Sequence, residues 1–134
     1  MTAFVLDASM VLEWLLRDGR AREAEALISR SNVEGAAAPR LMALEVANGL
    51  QNRLRRGAFA SSERDAMLND FVQLEIEWDD QVDPHELTRL SDAHGLTIYD
   101  ATYLALAARL GLPLATFDQR LAEAARAAGL RVLA

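Results

Sequence analysis

The chain has 134 residues, of which 51% are hydrophobic and 25% are charged, and this composition predicts one globular domain spanning residues 1–134. A net charge of −6 argues against broad, non-specific nucleic-acid binding, although acidic side chains that hold cations remain compatible with a nuclease. The chain contains neither cysteine nor lysine, which excludes disulfides, thiolate zinc sites and any mechanism that needs a lysine.

The sequence also predicts where in the cell the protein is located. No apolar run reaches the ~18 residues that cross a bilayer, so no membrane association is expected. No basic stretch precedes the first apolar segment, so we also expect no signal peptide. The cytoplasm is the expected location.

The first half of the chain reads as two strands and three helices. Residues 3–6 form a short apolar run that predicts a buried strand ending at Asp7. Helices are expected at about 9–17 and 20–30, and the alanines of 36–39 predict a weak strand. A long helix follows at about 40–56 and should end at Gly57.

The second half continues the alternation of helices and strands. A helix at 61–70 should be capped by its opening serines, and residues 74–78 predict an exposed edge strand. Asp83 and Pro84 open a helix that ends near residue 94. A helix at 99–110, a strand at 114–117, a helix at 118–128 and a strand at 130–133 complete the chain. This order predicts an α/β fold, with a parallel sheet flanked by helices on both faces.

Four acidic residues lie where folding alone does not explain them. Asp7 and Asp118 directly follow predicted strands, and Glu45 and Asp100 interrupt apolar helices. Isolated carboxylates in apolar surroundings cost roughly several kcal/mol unless they are paired, protonated or bound to a metal. In parallel sheets, ligands bind beyond the carboxyl ends of the strands. Four convergent carboxylates would supply the hard oxygen ligands that Mg²⁺ or Mn²⁺ requires.

Each acid also has a structural explanation. Asp7 and Asp118 are placed to cap helices, and Asp100 lies in a first helical turn where the dipole favours it by ~0.3–1 kcal/mol. Glu45 would be a buried acid paired with an arginine. These explanations suffice singly, but they account less well for four acids at one sheet edge.

Four segments carry a family resemblance. They read VLDAS at 5–9, EVANGL at 45–50, YDATYLALA at 99–107 and LATFDQRL at 114–121. Their order and spacing resemble the PIN-domain ribonucleases, specifically the VapC toxin type of bacterial toxin–antitoxin systems. The resemblance spans nearly the whole chain and implies a three-layer α/β/α fold.

The resemblance also implies a site and its chemistry. It implies an acidic metal site for Mg²⁺ or Mn²⁺, an RNA substrate, and products with a 5′-phosphate and a 3′-hydroxyl. The implied acidic residues are Asp7, Glu45, Asp100 and Asp118. The polar positions that flank them are Ser9, Asn48 and Thr116, for which capping and local backbone bonding are equally good explanations.

A metal-dependent mechanism suits the remaining residues. The two histidines, His85 and His94, lie in a first helical turn and beside a glycine stop, where surface or capping roles are expected. Our hypothesis is that Asp7, Asp100 and Asp118 bind metal directly, while Glu45 binds through water or orients the attacking water.

Basic and apolar surfaces suggest where partners bind. The densest basic cluster consists of Arg53, Arg55, Arg56 and Arg64, which either contact RNA phosphates or form a solvated helix end. The helix at 9–17 is apolar nearly all round, so it is either covered on both sides or contributes to an interface. The resemblance implies a homodimer and a small cognate antitoxin that blocks the carboxylates.

Two other phosphate-handling classes are excluded by single residues. A phosphoacceptor receiver domain needs a lysine, and a phosphatase of the haloacid dehalogenase type needs an aspartate where Ser9 stands. One alternative stays open: a catalytically inactive PIN-like interaction module, in which the acids only cap helices.

Overall fold

A parallel five-stranded sheet runs through the structure, a computed structural model that describes residues 2–134. Its strands are β1 (Phe4–Leu6), β2 (Ala36–Pro39), β3 (Ile76–Asp79), β4 (Leu114–Ala115) and β5 (Val132–Leu133). They lie in the order β3-β2-β1-β4-β5, and every neighbouring pair is parallel. β3 is therefore the edge strand that its alternating sequence predicted.

Seven helices connect and cover the strands. They are α1 (Ala8–Leu16), α2 (Ala21–Glu34), α3 (Leu41–Arg55), α4 (Ser61–Val72), α5 (Pro84–His94), α6 (Ile98–Leu110) and α7 (Gln119–Ala127). α1 packs against α2, α3 and α4, whereas α6 packs against α5, α7 and three strands of the sheet. The predicted α/β fold with helices on both faces of a parallel sheet is confirmed.

The strand order contains one topological switch point. β1 pairs with β2 on one side and with β4 on the other. The chain runs from β1 to β2 and β3, and then crosses back to β4 and β5 on the other side of β1. Open α/β sheets bind ligands in the crevice beyond the carboxyl ends of such a strand pair. Asp7 directly follows β1, and Asp118 follows the end of β4 by only a short loop.

α1 packs against three other helices, but only part of its surface is covered. Leu12, Trp14 and Leu16 are only partly buried, so a contribution of α1 to an interface stays a prediction. α6 is an interior helix, with six of its residues buried between Ala101 and Ala107. Among residues 2–134, no helix combines the length and apolarity needed to span a membrane.

Two expectations about the helices were wrong. α2 continues beyond residue 30 to Glu34, and Gly35, at φ 87°, provides the stop. α4 begins at Ser61 as expected, but its cap is Glu63, whose carboxylate accepts the Ala60 N–H at 3.0 Å, and not the opening serines.

The last two strands are shorter than expected. The Thr116 N–H still donates to the Leu133 carbonyl of β5. The pairing stops there because the Phe117 N–H donates to the Ser9 hydroxyl and the Asp118 N–H to the Thr116 hydroxyl. β5 is limited to the two residues that pair with β4. The shortened strand frees the loop that carries Asp118.

We expect Leu50→Ala to lower the free energy of unfolding by ~2–5 kcal/mol, because Leu50 is fully buried and its truncation leaves a cavity in the core. Leu44→Ala on the same helix is the matched control. Leu44 is 71% exposed, so its truncation should change stability by less than ~0.5 kcal/mol. Urea unfolding of both variants checks the orientation of α3, and equal losses would contradict it.

Candidate metal centre

Four carboxylates from four different parts of the fold line one open cavity of about 280 Å³. Asp7 comes from the end of β1, Glu45 from α3, Asp100 from the first turn of α6 and Asp118 from the N-terminus of α7. Ser9 and Asn48, which the sequence placed beside the acids, line the same cavity. The structure therefore brings together the residues that the sequence singled out at the carboxyl edge of the sheet.

Asp7 is the most buried of the four acids, with 5% of its surface exposed. It occupies the N-cap position of α1, but its side chain makes no capping hydrogen bond. Its Oδ2 instead accepts hydrogen bonds from the Ser9 and Thr116 hydroxyls, each at 2.7 Å. The capping explanation of Asp7 is thus wrong, and the carboxylate is held by side chains that belong to the cavity wall.

Both hydroxyls are themselves fixed by backbone donors. The Ser9 Oγ accepts the Phe117 N–H at 3.0 Å, and the Thr116 Oγ1 accepts the Asp118 N–H at 2.9 Å. Each hydroxyl therefore has its proton left to donate to Asp7. This relay joins the end of β1 to the loop after β4, and it fixes the position of Asp7 relative to Asp118.

Glu45 is held by an unexpected partner. Its Oε1 accepts a hydrogen bond from the Tyr103 hydroxyl at 2.5 Å. No arginine forms an ion pair with Glu45 within residues 2–134, so the expected arginine pairing was wrong. Tyr103 was read only as part of an apolar helix, yet it lies three residues after Asp100, a spacing that places both on one helix face.

Asp100 and Asp118 each lie at the N-terminal end of a helix and also line the cavity. The Asp118 Oδ1 accepts the Leu121 N–H at 3.0 Å, so its expected capping role is confirmed for one of its two oxygens. Asp100 lies in the first turn of α6, where Thr97 is the N-cap and accepts the Asp100 N–H at 3.1 Å. A capping or dipole role therefore does not prevent these carboxylates from lining the cavity.

The electrostatics show that the carboxylates interact. Burial raises the pKa values of Asp7, Glu45 and Asp100, and repulsion from neighbouring carboxylates raises each of them further. Asp118 repels both Asp7 and Asp100. Arg120, in the first turn of α7, partly offsets this by holding the pKa of Asp100 down. The cluster thus carries an excess of negative charge that a bound cation would relieve.

The donor set fits Mg²⁺ or Mn²⁺, since it consists of carboxylate oxygens with no nitrogen or sulfur competitor in the cavity lining. Among residues 2–134, however, no three acidic or histidine side chains lie in an arrangement that could hold a metal ion without rearrangement. Such an open arrangement suits Mg²⁺, which keeps several waters and is commonly held by only one or two carboxylates.

The remaining candidate residues lie outside this cavity. The arginine cluster lies at the end of α3 and on α4. Arg64 donates hydrogen bonds to Gln51 and Asp65. The Arg53 guanidinium lies 3.8 Å from the Asp18 carboxylate. His85 is exposed in the first turn of α5, and His94 is the last residue of that helix, as expected. Arg120 was missed, because one arginine beside a helix start gives no distinctive signal.

Comparisons with known proteins identify relatives across nearly the whole chain. The family model described as PIN domain matches residues 4–127. Ribonuclease VapC3 of Pyrobaculum aerophilum is 34% identical over 123 residues, covering 89% of this chain and 92% of the relative. Ribonuclease VapC9 of Mycobacterium tuberculosis is 32% identical over 123 residues, covering 92% and 91%.

Solved structures agree on the fold. The crystal structure of PAE2754 from Pyrobaculum aerophilum matches with a TM-score of 0.70 at 24% identity, over 98% of this chain and 90% of that one. FitAcB from Neisseria gonorrhoeae matches with a TM-score of 0.68 at 17% identity, over 98% and 96%.

Removing one hydroxyl of the relay should destabilise the fold. We expect Thr116→Val to lower the free energy of unfolding by ~1–3 kcal/mol, because the buried Asp7 carboxylate loses a donor and the Asp118 N–H loses its acceptor. Thr116→Ser keeps the hydroxyl and serves as the control. Denaturant unfolding compares the two variants, and equal stability would show that the relay does not hold Asp7.

Burial of Asp100, together with repulsion by Asp118, should appear as pH-dependent stability. The raised pKa of Asp100 means that its ionisation destabilises the metal-free fold, and this cost disappears as pH falls through the raised value toward the unfolded value of 3.8. In EDTA, Asp100→Asn should therefore melt ~3 °C above wild type at pH 7, with the difference closing at acid pH. Asp92→Asn, at an exposed position on α5, should show no such difference. A melting difference independent of pH would contradict the raised pKa of Asp100.

Proposed function

The chain belongs to the PIN domain family, and we propose that it is a metal-dependent endoribonuclease of the VapC type, acting as the toxin of a toxin–antitoxin pair. The observation that carries this proposal is the convergence of four carboxylates on one cavity at the switch point of the sheet. The family match over residues 4–127 supports assigning the activity to the 1–134 chain as one domain.

The proposed ligands of Mg²⁺ or Mn²⁺ are Asp7, Asp100 and Asp118, with Glu45 acting through water. Hydrogen bonding leaves ligand oxygens on three of the four acids, because protein donors engage only Oδ2 of Asp7, Oδ1 of Asp118 and Oε1 of Glu45. Each of these three carboxylates keeps its other oxygen for the cavity. Bound metal would supply an activated water and stabilise charge during in-line displacement at the phosphodiester.

The side chains orient the reacting groups. The relay from Ser9 and Thr116 keeps Asp7 from rotating, which favours a constant geometry at the phosphate. Glu45 has a raised pKa and lies at the cavity wall, so it is suited to orient the attacking water and accept its proton.

Positive charge for RNA binding is proposed on two surfaces. Arg120 lies beside the carboxylates and is suited to contact a phosphate next to the cleaved bond. The arginine cluster on α3 and α4, comprising Arg53, Arg55, Arg56 and Arg64, would contact more distant phosphates. None of these four arginines lines the acidic cavity, so we propose that they bind RNA and take no part in the reaction.

An antitoxin is the proposed protein partner. Leu44 is 71% exposed and Tyr99 62% exposed, and both line a second cavity that shares Glu45 and Asn48 with the acidic one. An apolar segment bound there would place a neighbouring basic side chain against the carboxylates and exclude RNA. A homodimer is proposed from family membership alone.

The alternative is an inactive interaction module of the same fold. It predicts that the acids contribute to stability only, so that substitution would leave metal binding unchanged. The raised pKa values and the failure of Asp7 to cap α1 favour the enzyme instead.

Cleavage of end-labelled structured RNA tests the proposal. Wild type with Mg²⁺ or Mn²⁺ should cut and leave 5′-phosphate and 3′-hydroxyl ends, and EDTA should abolish the reaction. Asp100→Asn should lose at least ~100-fold in rate, because a cavity carboxylate is removed. Asp92→Asn, on the exposed face of α5, should cut like wild type.

Two outcomes would contradict the proposal. Products with a 2′,3′-cyclic phosphate would show that the ribose hydroxyl is the nucleophile and would exclude a metal-activated water. A folded wild type that neither binds Mn²⁺ nor cuts RNA would favour the interaction module.

A further inference from the structure

Tyr103 is a fully buried tyrosine whose hydroxyl contacts a carboxylate of the acidic cavity. The ring is 0% exposed and packs within the main hydrophobic core. The hydroxyl donates to Glu45 Oε1 at 2.5 Å and lies beside the backbone amide of Ala8. One oxygen atom therefore meets three elements of the site: α6, α3 and the start of α1.

The hydroxyl has no evident packing purpose. Phenylalanine would fill nearly the same volume in this core without a polar atom that must be paired when buried. The one side chain that accepts the Tyr103 hydroxyl among the described residues is Glu45, a candidate site residue. The hydroxyl is thus explained by what it does to Glu45.

Resting on the proposed function, we propose that Tyr103 is a positioning residue that fixes the Glu45 side chain for metal binding. A glutamate on a half-exposed helix face would otherwise sample several rotamers, and ordering it on each binding event would weaken the site. The hydrogen bond orders it in advance and engages Oε1, so Oε2 is the oxygen left for the cavity. A neutral donor does this without adding a cation that would compete with the metal.

Asp7 is held by hydroxyl donors in the same way as Glu45. The hydroxyls of Ser9 and Thr116 engage Oδ2 and leave Oδ1 for the cavity. Hydroxyl donors thus orient two candidate ligands of the site, Asp7 and Glu45. Partners that orient metal ligands in this way commonly change metal affinity or activity by ~10–100-fold when they are removed.

The test compares Tyr103→Phe with Thr102→Val. Both lose one hydroxyl from α6, but the Thr102 hydroxyl donates to the Tyr99 backbone carbonyl and to no acid among the described residues. Tyr103→Phe should weaken Mn²⁺ binding, measured by calorimetry, by ~10-fold. It should also raise the Mn²⁺ concentration for half-maximal RNA cleavage by a similar factor, with the rate largely restored at saturating metal. Thr102→Val should bind Mn²⁺ like wild type.

A double-mutant cycle with Glu45→Ala separates positioning from folding. Once Glu45 is truncated, Tyr103→Phe should cause no further loss of Mn²⁺ affinity. Equal losses in both backgrounds, or wild-type Mn²⁺ binding by a folded Tyr103→Phe, would overturn the inference while leaving the proposed function intact. A wild type that binds no Mn²⁺ would overturn both.

Discussion

The buried carboxylate of Asp7 imposes the constraint on which the site depends. A charge with 5% exposure is tolerated only when donors surround it, and here the hydroxyls of Ser9 and Thr116 provide them. Those hydroxyls are oriented by N–H groups of the loop after β4, which must therefore leave the sheet early. The shape of that loop, the position of Asp118 and the short length of β4 all follow from holding one charge.

The topology of the sheet provides the place where the four carboxylates meet. Because the strand order reverses between β1 and β4, the carboxyl ends of these two strands open a crevice before any functional residue is considered. α3 and α6 then each place one carboxylate at its wall, Glu45 and Asp100. Burial and mutual repulsion raise the pKa values of these acids, so their ionisation lowers the stability of the metal-free fold. A bound cation would relieve this repulsion, which favours cation binding.

Sequence reasoning found the acids because each violates a local pattern: Asp7 and Asp118 follow strands, and Glu45 and Asp100 interrupt apolar helices. It also found the parallel sheet, since strands alternate with helices. It missed Tyr103 because a tyrosine in an apolar helix looks like ordinary core, and its role depends on a residue 58 positions away. It missed Arg120 because the relevant distance, to Asp100, is created only by the packing of α7 on α6. Long-range pairings of this kind have no local signature.

The central claim is that the four carboxylates form one cation site, and paramagnetic broadening by Mn²⁺ tests it most directly. In nuclear magnetic resonance spectra of the folded chain, substoichiometric Mn²⁺ should selectively broaden signals from Asp7, Glu45, Asp100 and Asp118 together, and added Mg²⁺ should restore them. The acidic edge around β3, from residues 75 to 80, offers a competing surface of negative charge. Broadening centred on that edge, or spread evenly over surface acids, would contradict the account.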